Sequence, residues 1–359
     1  MPWIGRKKLA LVPLFRPNIV PPDQVPADWE NQILQRVLFD PQPVGGADRS
    51  LRAYIHAASS GKADLDAVVM PRETANQREV PVNFLEAKLG AQLRAKGFDA
   101  AAIVMLGGPG AGSAQRGGFW ARFVMAEALG VWAMEFMHCL TGFADIRSQP
   151  GFVDSRNGEG EIDGFDEMAT AMGTHPSAYT KSAIGWLAGT AIALHSRREA
   201  SYDLHAIGLV QPPPSGRVAA VRIGSQVPFF IVEARQKVDQ FDRNIPSEGV
   251  IIYRVQTSDP LGNAQNNKIP VFLLTSPALK PGKTLTLSTG VKVKVTSASV
   301  GGFTVQITSP ADARCPGIRE QIAEIDEDLR KPGLDPQTRK ELLQERGELK
   351  AQAKKLGCS

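Results

Sequence analysis

The sequence has no apolar run near the roughly 20 residues of a transmembrane helix, so we expect no membrane span. It also lacks a concentrated basic block, since 41 basic and 37 acidic residues give a formal charge of only +4. Because basic and aromatic residues do not alternate either, we expect no nucleic-acid partner. The first residues contain neither the apolar core nor the cleavage site of a secretory signal. The protein is therefore expected to stay inside the cell, or its leader is absent from this chain.

Two ligand-binding patterns are incomplete. The glycine-rich residues 107–112 lack the G-K-[ST] ending of a phosphate loop, and Pro109 removes a backbone donor. We predict a strand-to-helix connection that borders a cleft. The acidic residues 154–166 offer oxygen atoms of the kind that Ca²⁺ prefers, but their spacing does not match an EF-hand. A solvated loop is expected there, with calcium binding as the alternative.

Histidine is scarce, and one of the five histidines stands in an informative pattern. Residues 132–138 read W-A-M-E-F-M-H, so Glu135 and His138 have the spacing of the second half of the zinc motif H-E-x-x-H. In that motif two histidines bind zinc from one helix face, and the glutamate polarises the attacking water. Met134 takes the place of the first histidine, and a thioether suits copper(I) better than zinc. Zinc is therefore the candidate cofactor, at a motif that lacks one of its ligands.

The residues around this pattern predict a buried helix. Residues 118–130 are apolar on most faces, which indicates one helix over residues 116–140 that ends at Gly142. Asp145 follows seven residues after His138, where a third zinc ligand is commonly placed. Cys139 lies inside the helix and is expected to be a small core residue.

The remaining histidines do not decide which residue would be the third zinc ligand. His175 precedes Pro176, and it either approaches the cleft as a ligand or bonds the backbone of a turn. His195 and His205 flank a basic stretch and are expected to be exposed. Tyr179 either donates a hydrogen bond to an oxyanion or packs against the wall of the cleft.

The order of these motifs resembles the immune inhibitor A family of secreted bacterial zinc metallopeptidases, relatives of gametolysin. A methionine-containing turn of the family is similar to residues 165–168, and a K-x-x-x-G-W segment is similar to residues 181–186. An E-x-R-Q strand and the hairpin after it resemble residues 233–236 and 241–253. The similarity covers roughly residues 8–255.

The resemblance implies a zincin-like fold with a zinc site that lacks one ligand. The candidate site residues are His138, Asp145 and His175 for the metal, Glu135 as general base and Tyr179 as a catalytic donor, and Met134 and Met168 as structural residues.

Composition along the chain predicts three parts and an α+β class. Residues 1–210 mix helices and strands, and the resemblance implies that they form a zincin-like metallopeptidase domain. After the prolines at 212–214, residues 211–310 contain short strands at the spacing of a β-sandwich. Residues 311–359 carry two helical apolar stripes around a Pro-Gly and an Asp-Pro pair, which predicts an αα-hairpin.

Two of the three cysteines bracket this hairpin. Antiparallel helices bring their ends together, so a disulfide between Cys315 and Cys358 is predicted. Such a bond, like the family resemblance, indicates an extracytoplasmic location and conflicts with the missing signal.

Three functions follow from these patterns. The first is a pseudopeptidase whose cleft binds a peptide or protein ligand without cleaving it. The second is an active zinc metalloendopeptidase with a non-standard ligand set and Glu135 as general base. The third is an interaction protein that works through the β-domain and the helical hairpin. The loss of a histidine at Met134 favours the first.

Overall fold

The computed structural model describes residues 2–42, 48–76, 81–108, 112–146, 160–259, 261, 268–310, 316–331 and 333–356. Cys315, Cys358 and Pro109 lie outside these residues, as do residues 154–159 of the acidic run. Helices and several separate sheets make up the described part, which is compatible with the predicted α+β class.

The first sheet is mostly parallel and has the strand order β2-β1-β4-β6-β5, with the short β3 beside the end of β1. Its last strand, β5, runs antiparallel to β6. Alternate residues of β1 enter two cores, with Leu9 and Leu11 on one face and Ala10 and Val12 on the other. The strands are β1 Gly5–Phe15, β2 Ala63–Val69, β3 Glu73–Thr74, β4 Ala100–Met105, β5 Ser113–Ala114 and β6 Trp120–Val124.

Helices cover both faces of this sheet, as a parallel sheet requires. The core that contains Leu9 and Leu11 is the larger of the two, and the helices that pack on it are amphipathic or wholly buried. On the other face, a π-helical turn at Glu86–Gly90 joins two short helices. The helices are α1 Trp29–Leu38, α2 Leu51–Ala58, α3 Pro81–Leu85, α4 Ala91–Ala95, α5 Leu129–Thr141, α6 Glu167–Thr170 and α7 Ala178–Ala183.

The predicted helix over residues 116–140 is wrong in its first half. Residues Trp120–Val124 form strand β6, which pairs with β4, and the helix begins at Leu129. A continuous apolar run fits a buried strand and a buried helix equally well, and here the pairing with β4 decides. The ring of Phe123 on this strand stacks on Trp132 of α5 at 4.3 Å between centroids.

Two five-stranded sheets follow in the chain. The second sheet has the order β15-β13-β12-β11-β8, and the third has the order β10-β9-β18-β17-β16. The second-sheet strands are β8 Ile192–His195, β11 Ala220–Ile223, β12 Phe229–Arg235, β13 Gly249–Val255 and β15 Val271–Leu273. The third-sheet strands are β9 Glu199–His205, β10 Arg217–Val218, β16 Thr284–Thr286, β17 Lys292–Ser299 and β18 Gly302–Thr308.

These two sheets share one apolar core. Val221 and Val232 of the second sheet meet Val293 and Val305 of the third in a single buried cluster. The opposite face of the second sheet, with Ile231 among its residues, belongs to the core of the first part of the chain. The second sheet therefore lies between the two cores, and α7 packs on its inner face.

The expectation that His195 and His205 are exposed is wrong. They lie in β8 and β9, are 7% and 8% exposed, and their rings are hydrogen-bonded. His195 contacts the Tyr202 hydroxyl at 3.0 Å and the Ser309 hydroxyl at 3.1 Å. The basic residues that suggested exposure form the turn between the two strands. The turn is exposed, but the two histidines are not.

The remaining elements are a small strand pair and two helices. Strands β7 Asp145–Ile146 and β14 Lys268–Ile269 pair in parallel. Helices α8 Pro316–Asp328 and α9 Pro336–Leu356 contact each other, with Arg346 and Asp326 in an ion pair of 2.6 Å. Within the described residues, no helix combines the length and the apolar character needed to cross a membrane.

Candidate functional site

Helix α5 carries the motif residues through the larger core. From Trp132 to Thr141 every residue is buried, and the helix ends as predicted at Gly142, which has a positive φ of 76°. That left-handed conformation suits glycine, and its N–H donates to the His138 carbonyl to close the helix. Glu135 and His138 are thus held on a rigid element.

Glu135 lies under the edge of the first sheet. The main-chain N–H of Ala114 in β5 bonds its carboxyl group, and the side chain is 9% exposed. Burial raises the pKa of Glu135 to about 7, because the charged form loses its hydration. The positive charge of His138 opposes this rise, and Asp145 adds to it. Near neutral pH this carboxyl group can therefore either accept or donate a proton.

His138 is fixed through both ring nitrogens. Nδ1 donates to the Phe143 carbonyl at 2.6 Å, and Nε2 lies 3.0 Å from Oδ1 of Asp145. Burial lowers the pKa of His138, but the Asp145 and Phe143 hydrogen bonds outweigh burial and the net pKa is raised. The structure thus brings together Glu135, His138 and Asp145, which we call the α5 site.

Met134 and Met168 both lie in the core beneath this site. Met134 stands one turn before His138 and is 7% exposed, and Met168 of α6 is fully buried in the same cluster. Helix α5 approaches the α6–α7 connection closely, because a Cβ on Gly130 would lie 2.1 Å from the Ala171 carbonyl oxygen. Glycine at residue 130 permits this contact.

His175 belongs to a different group of side chains. Its Nε2 lies 2.7 Å from Asp239 Oδ2, and its main-chain N–H donates to Asp242 at 3.0 Å. The ring is fully buried and stacks beside Tyr54. His175 therefore bonds Asp239 and Asp242, and it does not bond His138.

Tyr179 also stands apart from the α5 site. Its ring lies between Phe143 and Phe229, each 6.4 Å away between centroids. The hydroxyl is buried and has no hydrogen-bond partner within the described residues. Burial raises the pKa of Tyr179 well above its usual range.

Sequence reasoning missed a buried charged cluster, which we call the Arg235 cluster: Arg235, Glu233, Asp242, Asp239 and His175. Arg235 donates to Asp242 at 2.8 Å and to the His175 carbonyl at 3.1 Å. Glu233 accepts the Ala178 N–H and the Tyr253 hydroxyl, both at 2.8 Å. Charged residues inside the apolar strand β12 were the available signal, since strands rarely bury them unpaired.

The acidic and glycine-rich segments are described in part. Asp166 caps α6 and accepts the Ser177 N–H and the Thr180 hydroxyl, so its oxygens are engaged by the protein. Gly112 packs on α5, where a Cβ would lie 2.3 Å from Val131 and 2.9 Å from Glu135. This segment connects two strands, β4 and β5, so the predicted strand-to-helix connection is wrong, and its end lies beside Glu135.

The donor set does not fit a catalytic zinc ion. Such sites use three protein ligands and one open position. His138 and Asp145 supply two, Met134 replaces the third, and His175 is bonded to Asp239. Across the part of the chain that the structure describes, no group of three His, Cys, Asp or Glu residues is arranged to hold a metal ion.

No family model matches this sequence, and neither does any curated protein. The likeness to the immune inhibitor A family therefore stays a prediction that rests on the order of its motifs.

Proposed function

We propose that this protein has a zincin-like domain and a C-terminal helical hairpin, and that it binds peptides without hydrolysing them. The observation that carries the proposal is the pair of donors at the α5 site. His138 Nε2 lies 3.0 Å from Asp145 Oδ1, so two donors of the motif are adjacent, yet Met134 takes the helix position where a zinc peptidase has its first histidine.

The surroundings of Glu135 support peptide binding. Strand β5 is the terminal strand of the described first sheet, and it runs directly over α5. An extended peptide can add to such an edge through main-chain hydrogen bonds. Glu135 and His138 would then lie beneath the bound peptide and contact it.

Metal content per chain tests the central point. Wild-type protein, exposed to zinc and then dialysed, should retain none by elemental analysis. Met134→His should retain about one zinc ion per chain, because a helix with histidines four residues apart plus Asp145 supplies three ligands. Met134→Leu is the matched control, since it keeps an apolar side chain of similar size and should retain none.

Near-stoichiometric zinc in the wild type would contradict the proposal, because another group would then have replaced the missing ligand. Peptide binding is tested separately with linear peptides selected against the wild type. Ala114→Pro removes the β5 N–H that bonds Glu135, so it changes both the edge of β5 and the carboxyl group beneath it. It should weaken peptide binding, and unchanged binding would reject the edge of β5 as the docking site.

One observation favours a second candidate, an active hydrolase. The pKa of Glu135, raised to about 7, is suited to general acid–base catalysis near neutral pH. Peptide cleavage that chelators abolish and that Glu135→Gln removes would establish this function in place of the first. Without such cleavage, the hydrolase is rejected.

A further inference from the structure

A cavity of about 420 Å³ lies between α7 and the inner face of the second sheet. Ile192 and Leu194 of β8 and Phe229 and Ile231 of β12 form its apolar wall. Leu194 is 53% exposed, so the cavity opens to solvent beside the terminal strand β8. Its size falls in the range of small-molecule sites, roughly 300–1,000 Å³.

One charged group enters this apolar cavity. Arg222 of β11 stacks on the Phe229 ring, 3.9 Å from guanidinium carbon to ring centroid. Its Nε donates to the Gly224 carbonyl at 2.9 Å and its Nη2 to the Ser225 carbonyl at 2.7 Å. No carboxylate of the described residues forms an ion pair with it. A half-buried guanidinium held by two neutral carbonyls keeps its positive charge uncompensated.

A hydroxyl group without a partner lines the same cavity. Tyr179 approaches from α7, and its oxygen has no hydrogen-bond partner within the described part of the chain. A buried phenol normally finds an acceptor, because leaving it unbonded costs about 1–3 kcal/mol. Arg222 and Asp259 both influence Tyr179 electrostatically, but Asp259 is not among the groups that influence Arg222. Within the described residues, the Tyr179 hydroxyl therefore lacks an acceptor, and Arg222 lacks a carboxylate partner.

We propose that this cavity binds a small carboxylate with an apolar body, the carboxylate on Arg222 and Tyr179 and the body along the wall of β8 and β12. Two donors match the two oxygens of a carboxylate, and arginine is the residue best suited to bind it. The aliphatic wall excludes water from the remainder of the ligand. A free fatty acid of medium length and the C-terminal residue of a peptide share this chemistry.

Calorimetry with three probes of equal length tests the charge preference. Octanoate should bind the full-length protein at least about tenfold more tightly than octanol or octylamine, because only it accepts hydrogen bonds as an anion. Equal affinity for octanoate and octanol, or no octanoate binding tighter than about 10 mM, overturns the proposal.

Variants separate this site from a general apolar effect. Arg222→Gln should weaken octanoate binding at least about tenfold while leaving octanol binding unchanged. Arg254→Gln is the matched control: that arginine also stacks on a phenylalanine of the second sheet, at 4.7 Å, but does not line the cavity. Octanoate affinity that Arg222→Gln leaves unchanged would overturn the proposal.

Tyr179→Phe tests the same site if the Arg222→Gln variant does not fold. It removes a single oxygen that has no partner in the described structure, so the fold should be kept and octanoate affinity should still fall. The source of the carboxylate is tested with an acetylated tripeptide that ends in leucine and with its amide. Binding of the acid and not the amide identifies a chain terminus, exclusive octanoate binding identifies a free acid, and equal binding of acid and amide contradicts a carboxylate site.

Discussion

The α5 site and the Arg235 cluster both bury charged side chains, but they compensate the charge differently. In the Arg235 cluster a fully buried arginine bonds Asp242, and Glu233 accepts two further hydrogen bonds. In the α5 site burial leaves Glu135 with a pKa of about 7, although His138 is nearby. The first group pairs its carboxylates with a buried arginine, whereas the second holds a carboxyl group whose pKa lies near neutrality and that has no arginine or lysine partner among the described residues.

The two groups of side chains therefore have different roles. Glu233, Arg235 and Asp242 join β12 to the loop before β13 and to the chain before α7, so they hold elements together. Glu135 and His138 connect α5 to β5 and β7 near the edge of the sheet. Paired buried charges hold a core together, and a buried carboxyl group with a pKa near neutrality is the better candidate for function.

The largest loss of stability should come from removing the cation of the Arg235 cluster. Arg235→Met leaves Glu233 and Asp242 buried without their cation, which should lower the free energy of unfolding by about 3–5 kcal/mol. Urea unfolding followed by circular dichroism measures this change. Arg254→Met, which removes a half-buried arginine stacked on Phe272, should cost about 1 kcal/mol. Equal losses in the two variants would mean that the Arg235 cluster has no special structural role.

A smaller loss of stability should follow when a side chain is added where α5 contacts the main chain at the end of α6. Gly130→Ala places a Cβ 2.1 Å from the Ala171 carbonyl oxygen and 2.4 Å from the Gly173 nitrogen. Both atoms are main chain and cannot rotate away, so we expect a loss of about 3 kcal/mol in unfolding free energy. Gly347→Ala in α9 is the control, because nothing lies within 4 Å of its Cβ and alanine favours a helix. If Gly130→Ala also stabilises the protein, the close approach of α5 to α6 is wrong.

Much of the second sheet could be predicted from the sequence. The short strands predicted over residues 211–310 include β12 Phe229–Arg235 and β13 Gly249–Val255 of this sheet. Apolar runs of this length between turn residues are typical of buried strands. Strand β6 was missed because an equally apolar run leads into α5 without a clear break, and only its partner β4 reveals it.

The candidate site shows the same limit at the level of single residues. The E-x-x-H spacing and Gly142 were visible in the sequence, because they are local features of one helix. The partner of His175 was not visible, since Asp239 lies 64 residues away and only the fold brings the two together. Tyr179 was predicted either to donate to an oxyanion or to pack against the cleft wall, and its place beside Arg222 depends on β11, which no local pattern links to α7.

The smallest effect concerns the proton at the α5 site. The folded pKa of Glu135 is about 7, against 4.5 for an unperturbed glutamate, so folding favours its neutral form. Its contribution to stability is present below the unfolded pKa and is lost as the pH rises through the folded pKa. Between about pH 5 and about pH 8, wild-type protein should lose about 2 kcal/mol that Glu135→Gln does not lose, because glutamine cannot ionise. Asp99→Asn, at an exposed ion pair with Lys7, is the control and should leave the wild-type slope in place. Parallel stability curves for wild type and Glu135→Gln would show that Glu135 is ionised at neutral pH, and the contrast between the α5 site and the Arg235 cluster would then not hold.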